Sequence, residues 1–404
     1  MRILFHTTSP QCHSGYGVAC RELVTRLKAQ GHFIRVATKH PYFGWQEWNG
    51  IEICDGTRVD LLNQMIEEEK FNYVFSLWDI WQLFEKRHFP KEKWVAYVPI
   101  DTEWISERLA KVCLGTDIVV ERLKEEAAKK VGSPARGPGY HIAMSKHGVR
   151  ELESIDIKPL YVPLGVDLKT FKPVPKWRKF FRDNFGYDDS HFVIGSVGLN
   201  YGDDRKGFIP LLRAFKIFHD RHPEARLYLH THAMGKFDGT INYLKIAGML
   251  GISEWISWPD QLANDFGRID EDWLCSAYNG MDVFCLPSRG EGFGLPLVEA
   301  QACGIPIITT DTTTGPELSA NEEWLIKVSK NSLRYLPNNT WRYEIGEEPI
   351  IEALEKAYVV WKNGDWQFHK NQALKKAKEY GWNIIFKKNW EPIFSLLENQ
   401  LKSS

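Results

Sequence analysis

Two glutamates, Glu291 and Glu299, bracket the run Gly292-Phe293-Gly294-Leu295-Pro296. Ionised carboxylates only accept hydrogen bonds, so such a pair suits a ligand rich in hydroxyl donors. The glycines between them leave backbone amides uncovered, and an anion or a sugar can approach those amides closely. Glu299 lies about two helical turns beyond Glu291 at ~1.5 Å of rise per residue, which lets the two carboxylates face the two ends of one elongated ligand. Arg205 and Lys206 stand before Gly207 at an expected helix start, where cations can meet developing negative charge. The run Thr312-Thr313-Thr314-Gly315-Pro316-Glu317 has the make-up of another helix start, with hydroxyl caps and a first-turn proline. Its free amides suit a diphosphate. Each feature also has a purely structural reading: solvated carboxylates, glycine turns, a solvated helix-entry pair.

The elements that must position these residues alternate between buried strands and helices. Strands are expected at Ile3–Phe5, Phe33–Ala37, Tyr73–Leu77, Trp94–Val98, His141–Met144 and Leu160–Val162. A helix over about Val18–Gln30, with Gly15-Tyr16-Gly17 at its mouth, completes a right-handed strand–helix–strand unit. A second series runs through Phe192–Gly198, Arg226–His230, Ile256–Trp258, Asp282–Leu286 and Ile305–Thr309. Two parallel-sheet α/β domains follow from this order, and 404 residues suit two cores better than one. The basic and aromatic run Lys176–Arg182 reads as an amphipathic helix opening the second domain.

A formal net charge of -1 argues against a dedicated nucleic-acid binder. The seven cysteines, scattered and without a C-x-x-C pair, read as reduced core residues. Met1-Arg2-Ile3-Leu4 enters a strand directly, and no apolar run reaches the ~18 residues of a membrane span. A cytoplasmic location is expected. The one D-x-D, Asp270-Glu271-Asp272, reads as first-turn carboxylates of a helix, and His230-x-His232 as structural, so no metal site is expected. Trp45, Trp48, Trp78, Trp81, Trp94 and Trp104 concentrate aromatic surface in the first domain. Core packing is the first explanation, and sugar-facing rings the second.

The spacing of Glu291 and Glu299 around Gly-Phe-Gly-Leu-Pro, followed by Gly304-Ile305-Pro306 and Thr314-Gly315-Pro316-Glu317, resembles the E-x7-E signature of retaining glycosyltransferases of the GT-B fold, especially family 4, the glycosyl transferases group 1. The resemblance implies an α/β chain of two Rossmann-like doubly wound domains facing a central cleft. Residues 1–172 would be the acceptor-side domain, 173–381 the nucleotide-sugar-binding domain, and 382–404 a helix crossing back to the first. It further implies that Glu299 binds the nucleotide ribose and Glu291 the transferred sugar near its reacting carbon. Gly292, Phe293, Gly294 and Leu295 would line the sugar pocket, Arg205 and Lys206 would meet the diphosphate, and Gly15 and Gly17 would lie beside donor and acceptor. Family members commonly carry an arginine after the glycine ending the first strand of the second domain; here Leu199 and Asn200 stand there. Where relatives present a histidine on a first-domain loop, this sequence has Asp101, taken as a catalytic or sugar contact with Glu291 and Lys206. Its alternative is a helix cap.

The expected activity is therefore metal-independent, retaining transfer of a hexose from a nucleotide-diphosphate sugar, a UDP-sugar by preference, to an acceptor hydroxyl, with no resident cofactor. Acceptors could be a glycan, a lipid-linked glycan, a protein or a modified nucleic-acid base. The rivals are a nucleotide-sugar epimerase or phosphorylase, and a sugar-nucleotide-binding or scaffold protein without turnover.

Overall fold

The computed structural model describes the chain except for residues 13, 39–45, 80–88, 115–137, 201, 236–239, 266–269, 337–339 and 404. Two compact units result, one formed mainly by Met1–Leu164 and Trp382–Ser404, the other mainly by Gly165–Leu336 and Trp341–Gly381. The sequence reading places the division after residue 172. In the structure Gly165 groups with the second unit, and Val166 donates its N–H to the Tyr380 carbonyl at 2.8 Å.

The first unit is built on an eight-stranded sheet: β1 Arg2–Thr7, β2 Phe33–Thr38, β3 Gln46–Trp48, β4 Ile51–Asp55, β5 Tyr73–Leu77, β6 Trp94–Val98, β7 Tyr140–Ala143 and β8 Leu160–Tyr161. Their order is β3-β4-β2-β1-β5-β6-β7-β8. All pairs are parallel except β3 with β4. Those two form a hairpin through Asn49 and Gly50, whose φ angles are 49° and 70°. Positive φ at both positions is what a tight hairpin turn requires, and Asn-Gly supplies it at low cost. β5 and β6 are buried along their whole length, as parallel strands covered on both faces are. Trp94 and Trp78 belong to this interior. Trp94 donates Nε1–H to Ser76 Oγ at 2.7 Å and Trp78 to His6 Nδ1 at 2.9 Å. Trp104 is exposed and Trp48 half-buried, while Trp45 and Trp81 lie outside the described residues. The final segment runs as Trp382–Ile385, a π-helical turn Phe386–Trp390 and a helix Glu391–Ser403. Trp390 is fully buried edge-on to Tyr97, with ring centroids 5.2 Å apart.

The second unit has a five-stranded sheet of β9 Phe192–Val197, β10 Ala225–His230, β11 Ile256–Ser257, β12 Val283–Leu286 and β13 Ile307–Thr309. The order is β11-β10-β9-β12-β13, all parallel. A small pair, β14 Leu333–Leu336 and β15 Thr340–Tyr343, stands apart from it. Chain order reverses between β9 and β12, and the carboxyl edge of a parallel sheet at such a switch point is where ligands bind. The opposite end of β12 is pinned by Asp282, 2% exposed. Its carboxylate accepts from Arg178 at 2.8 Å, Arg182 at 2.5 Å and the Val193 N–H at 2.8 Å. Both arginines lie on the helix Pro175–Phe185, the amphipathic helix read from Lys176–Arg182. Its cations are thus divided, some in water and these two on a buried acid. Among the described residues no helix is long and apolar enough to cross a membrane.

Candidate functional site

The loops after β9 and β12 bring Lys206, Arg205 and Glu291 together. Lys206 Nζ donates to Glu291 Oε1 at 2.7 Å. Arg205 Nη1 donates to the Gly290 carbonyl at 2.7 Å and lies 3.4 Å from Glu291 Oε2. Burial works to raise the Glu291 carboxyl. The charges of Lys206 and Arg205, with hydrogen bonds from Lys206 and Ser288, outweigh it and hold the group at about 2. The Glu291 N–H donates to Thr313 Oγ1 at 3.1 Å, and Thr313 adopts φ 46°, a left-handed conformation unfavourable for a β-branched residue. The product is a fixed, ionised carboxylate with two cations at the carboxyl edge of a parallel sheet.

Placement of the cations depends on Asp204, which local pattern does not reveal. Its carboxylate accepts from the N–H groups of Phe208 and Ile209, each at 3.0 Å, and from Tyr243 Oη at 3.0 Å. This anchors the start of the helix Phe208–Arg221. Between them Gly207 has φ +70°, and a Cβ there would lie 2.0 Å from the Pro287 carbonyl oxygen. Gly207→Ala is therefore expected to cost about 2 kcal/mol or more and to displace Lys206. A thermal melt unchanged from the parental protein would refute this.

Glu299, on the helix Leu295–Ala302, meets different surroundings. It is 8% exposed, and Tyr278 Oη donates to its Oε2 at 2.8 Å. Burial pushes its carboxyl up to about 7; the Tyr278 hydrogen bond works downward, and Glu271 and Cys275 add to the rise. The two glutamates of one motif thus have opposite proton affinities. Gly294 adopts φ +96° before this helix, a left-handed conformation that favours glycine. Phe293, however, is buried and packs against the Tyr380 ring at 5.8 Å, so that segment can offer a ligand its backbone rather than this side chain. The expected hydroxyl-capped helix is a four-residue turn, Gly315–Leu318, without a side-chain cap. Thr314 Oγ1 there is buried with no hydrogen-bond partner among the described residues. Leu199 is 70% exposed.

In the first unit, Gly15 opens the helix Gly15–Ala29, where Ser14 Oγ accepts from the Gly17 N–H. A Cβ at Gly17 would lie 2.2 Å from the Cys12 carbonyl oxygen, so this glycine is needed for the loop to fold onto its helix. Tyr16 Oη donates to Asp79 Oδ1 at 3.1 Å, joining the first turn of this helix to the loop after β5, beside the point where strand order reverses. Asp101 is half-buried after β6. The cap of the following helix, Glu107–Leu114, is Ser106, whose Oγ accepts from Leu109 N–H at 3.3 Å. Asp270 accepts from the Trp273 N–H at 2.8 Å, which gives the D-x-D its first-turn place. A cavity of about 420 Å³ lies at the amino edge of the first sheet beside Lys70, Tyr73, Lys93 and Tyr140, away from the strand ends where such sheets bind ligands.

The Lys206–Glu291 cluster and Glu299 fall within a stretch, residues 191–334, that matches the family model of glycosyl transferases group 1. Residues 191–334 belong to that family. Within it, Lys206, Glu291 and Glu299 all lie on the group 1 segment. Mannosylfructose-phosphate synthase of Agrobacterium fabrum is 33% identical over 155 residues, which cover 37% of this chain and 32% of that protein. The match thus spans about a third of that relative's length. Among solved structures, sucrose-phosphate synthase from Thermosynechococcus elongatus superposes with a TM-score of 0.71 at 17% identity, covering 100% of both chains. Anabaena Alr3699/HepE in complex with UDP-glucose gives 0.66 at 14% identity, over 98% of this chain and 100% of the other. The fold is GT-B.

Proposed function

We propose that the chain is a retaining, metal-independent glycosyltransferase that moves a hexose from a nucleotide-diphosphate sugar, preferably a UDP-sugar, to an acceptor hydroxyl. The observation that carries this reading is the Lys206–Glu291–Arg205 cluster at the carboxyl edge of β9 and β12, inside the group 1 segment. Transfer breaks the bond from the sugar carbon to a diphosphate oxygen. Negative charge grows on the diphosphate, and positive character grows at carbon. Lys206 and Arg205 answer the first with charge already fixed by the fold; Glu291, ionised above about pH 2, keeps both cations in place and accepts from sugar hydroxyls. Glu299 takes the ribose. With the departing diphosphate accepting the acceptor's proton on the face it leaves, configuration is retained and no protein nucleophile is needed. The neighbour solved with UDP-glucose supports a uridine donor. The acceptor belongs to one of the four classes named above.

Incubation with UDP-, GDP-, ADP- and TDP-sugars without acceptor is expected to release free hexose slowly, fastest from a UDP-sugar, with equal rates in EDTA. No release from any of them would leave the non-catalytic binding protein as the better reading. Loss in EDTA restored by a divalent ion would remove metal independence.

A further inference from the structure

Glu299 is served by its surroundings very differently from Glu291. An ionised carboxylate offers about four acceptor positions, and among the described residues the Glu299 carboxylate receives one hydrogen bond, at Oε2 from Tyr278 at 2.8 Å. The Tyr278 ring is fully buried and held edge-on by Phe171 and Phe284, at centroid distances of 6.0 and 5.7 Å. Its hydroxyl therefore has a fixed place, and Glu299 is its hydrogen-bond partner. We propose that Tyr278 is a positioning residue for donor recognition: by holding Oε2 it leaves Oε1 to accept from the vicinal hydroxyls of a ribose. This rests on the glycosyltransferase reading above and adds to it a residue outside the E-x7-E spacing.

The groups acting on Glu299 are Tyr278, Cys275 and Glu271 from the helix Glu271–Gly280. Cys303, at the end of its own helix, is influenced by Glu299 in turn. The helix Trp366–Glu379 also packs on this helix. Burial and the neighbouring acid favour the protonated carboxyl, and Tyr278 favours the carboxylate. The hydroxyl thus both orients the acceptor and keeps it an acceptor near neutral pH. Donor affinity should fall as pH drops through about 7, because a protonated carboxyl loses acceptor capacity.

The test is titration calorimetry with UDP and the preferred UDP-sugar between pH 6 and 9, beside steady-state kinetics. Tyr278→Phe keeps the ring and is expected to raise donor Kd and KM about 3- to 10-fold at pH 7, with kcat changed less than about twofold. The acid limb of binding should move to higher pH, and affinity should recover in part at pH 9. In a Glu299→Gln background the same change should add less than about twofold. As a second variant, a fluorinated, more acidic tyrosine at 278 should move the limb the opposite way. Unchanged affinity and pH profile, or an equal loss in the Gln background, overturns the role of Tyr278. Failure of the parental protein to bind any nucleotide sugar overturns the glycosyltransferase reading as well, which separates the two cases.

Discussion

Lys206→Met should lower turnover about 100- to 1,000-fold, the scale on which losing one preorganised charge-stabilising contact acts. Lys206 is 8% exposed and lies 2.7 Å from a carboxylate that is itself 7% exposed. Removing the ammonium takes away a cation at the sheet edge and leaves Glu291 buried with, among the described residues, Arg205 at 3.4 Å as its cation. The Glu291 carboxyl then moves up from about 2, and part of the population protonates at low pH. The sign follows from linkage: a carboxyl depressed in the folded state stabilises it above the ordinary carboxylate range, and that contribution is lost as pH falls. In the parental protein it persists down to about pH 2; in the variant it should disappear at higher pH. Glu291→Gln should also depress turnover, with little effect on nucleotide affinity. Hexose release by Lys206→Met at the parental rate, in a folded protein, would falsify the assignment of this cation.

A second large effect is expected far from any ligand. Asp282→Ala removes the shared partner of Arg178 and Arg182, and Arg182 is 4% exposed. A buried guanidinium left without its acid costs about 3–5 kcal/mol, so the thermal midpoint should fall on the order of 10 °C. The Val193 N–H also loses its acceptor at the foot of β9, and β9 and β12 are the strands whose far ends carry Lys206 and Glu291. Asp282→Asn, which retains acceptors, should lose less. A melt within 2 °C of the parental value, taken as about 1 kcal/mol or less, would mean the pair carries no such weight.

Much of the scaffold is legible in the chain. Buried parallel strands are short continuous apolar runs, so Tyr73–Leu77, Trp94–Val98 and Phe192–Val197 announce themselves. The β3–β4 hairpin passes unread because its strands are short, although Asn49-Gly50 is a strong turn signal. Asp282 is harder to read: on the page it is an acid ahead of a strand, and its partners stand about a hundred positions earlier. Asp204 looks like part of a polar loop, and its three hydrogen bonds depend on how that loop folds onto the next helix.

Residue types and spacing alone determined the alternating α/β architecture, two sheets, the glycine turn between two glutamates, and the cations ahead of Gly207. These are local properties, fixed by periodicity, backbone freedom and the chemistry of single side chains. Tertiary structure decided the protonation of the two glutamates. Glu291 meets Lys206 and Arg205 from a loop some 85 residues away in the chain, whereas Glu299 meets a phenol and apolar surroundings. A carboxyl's proton affinity is set by the charges and solvent within a few ångströms of it; the cations reach Glu291 only when β9 and β12 lie side by side, and Tyr278 reaches Glu299 only when the helices on either side of β12 pack together.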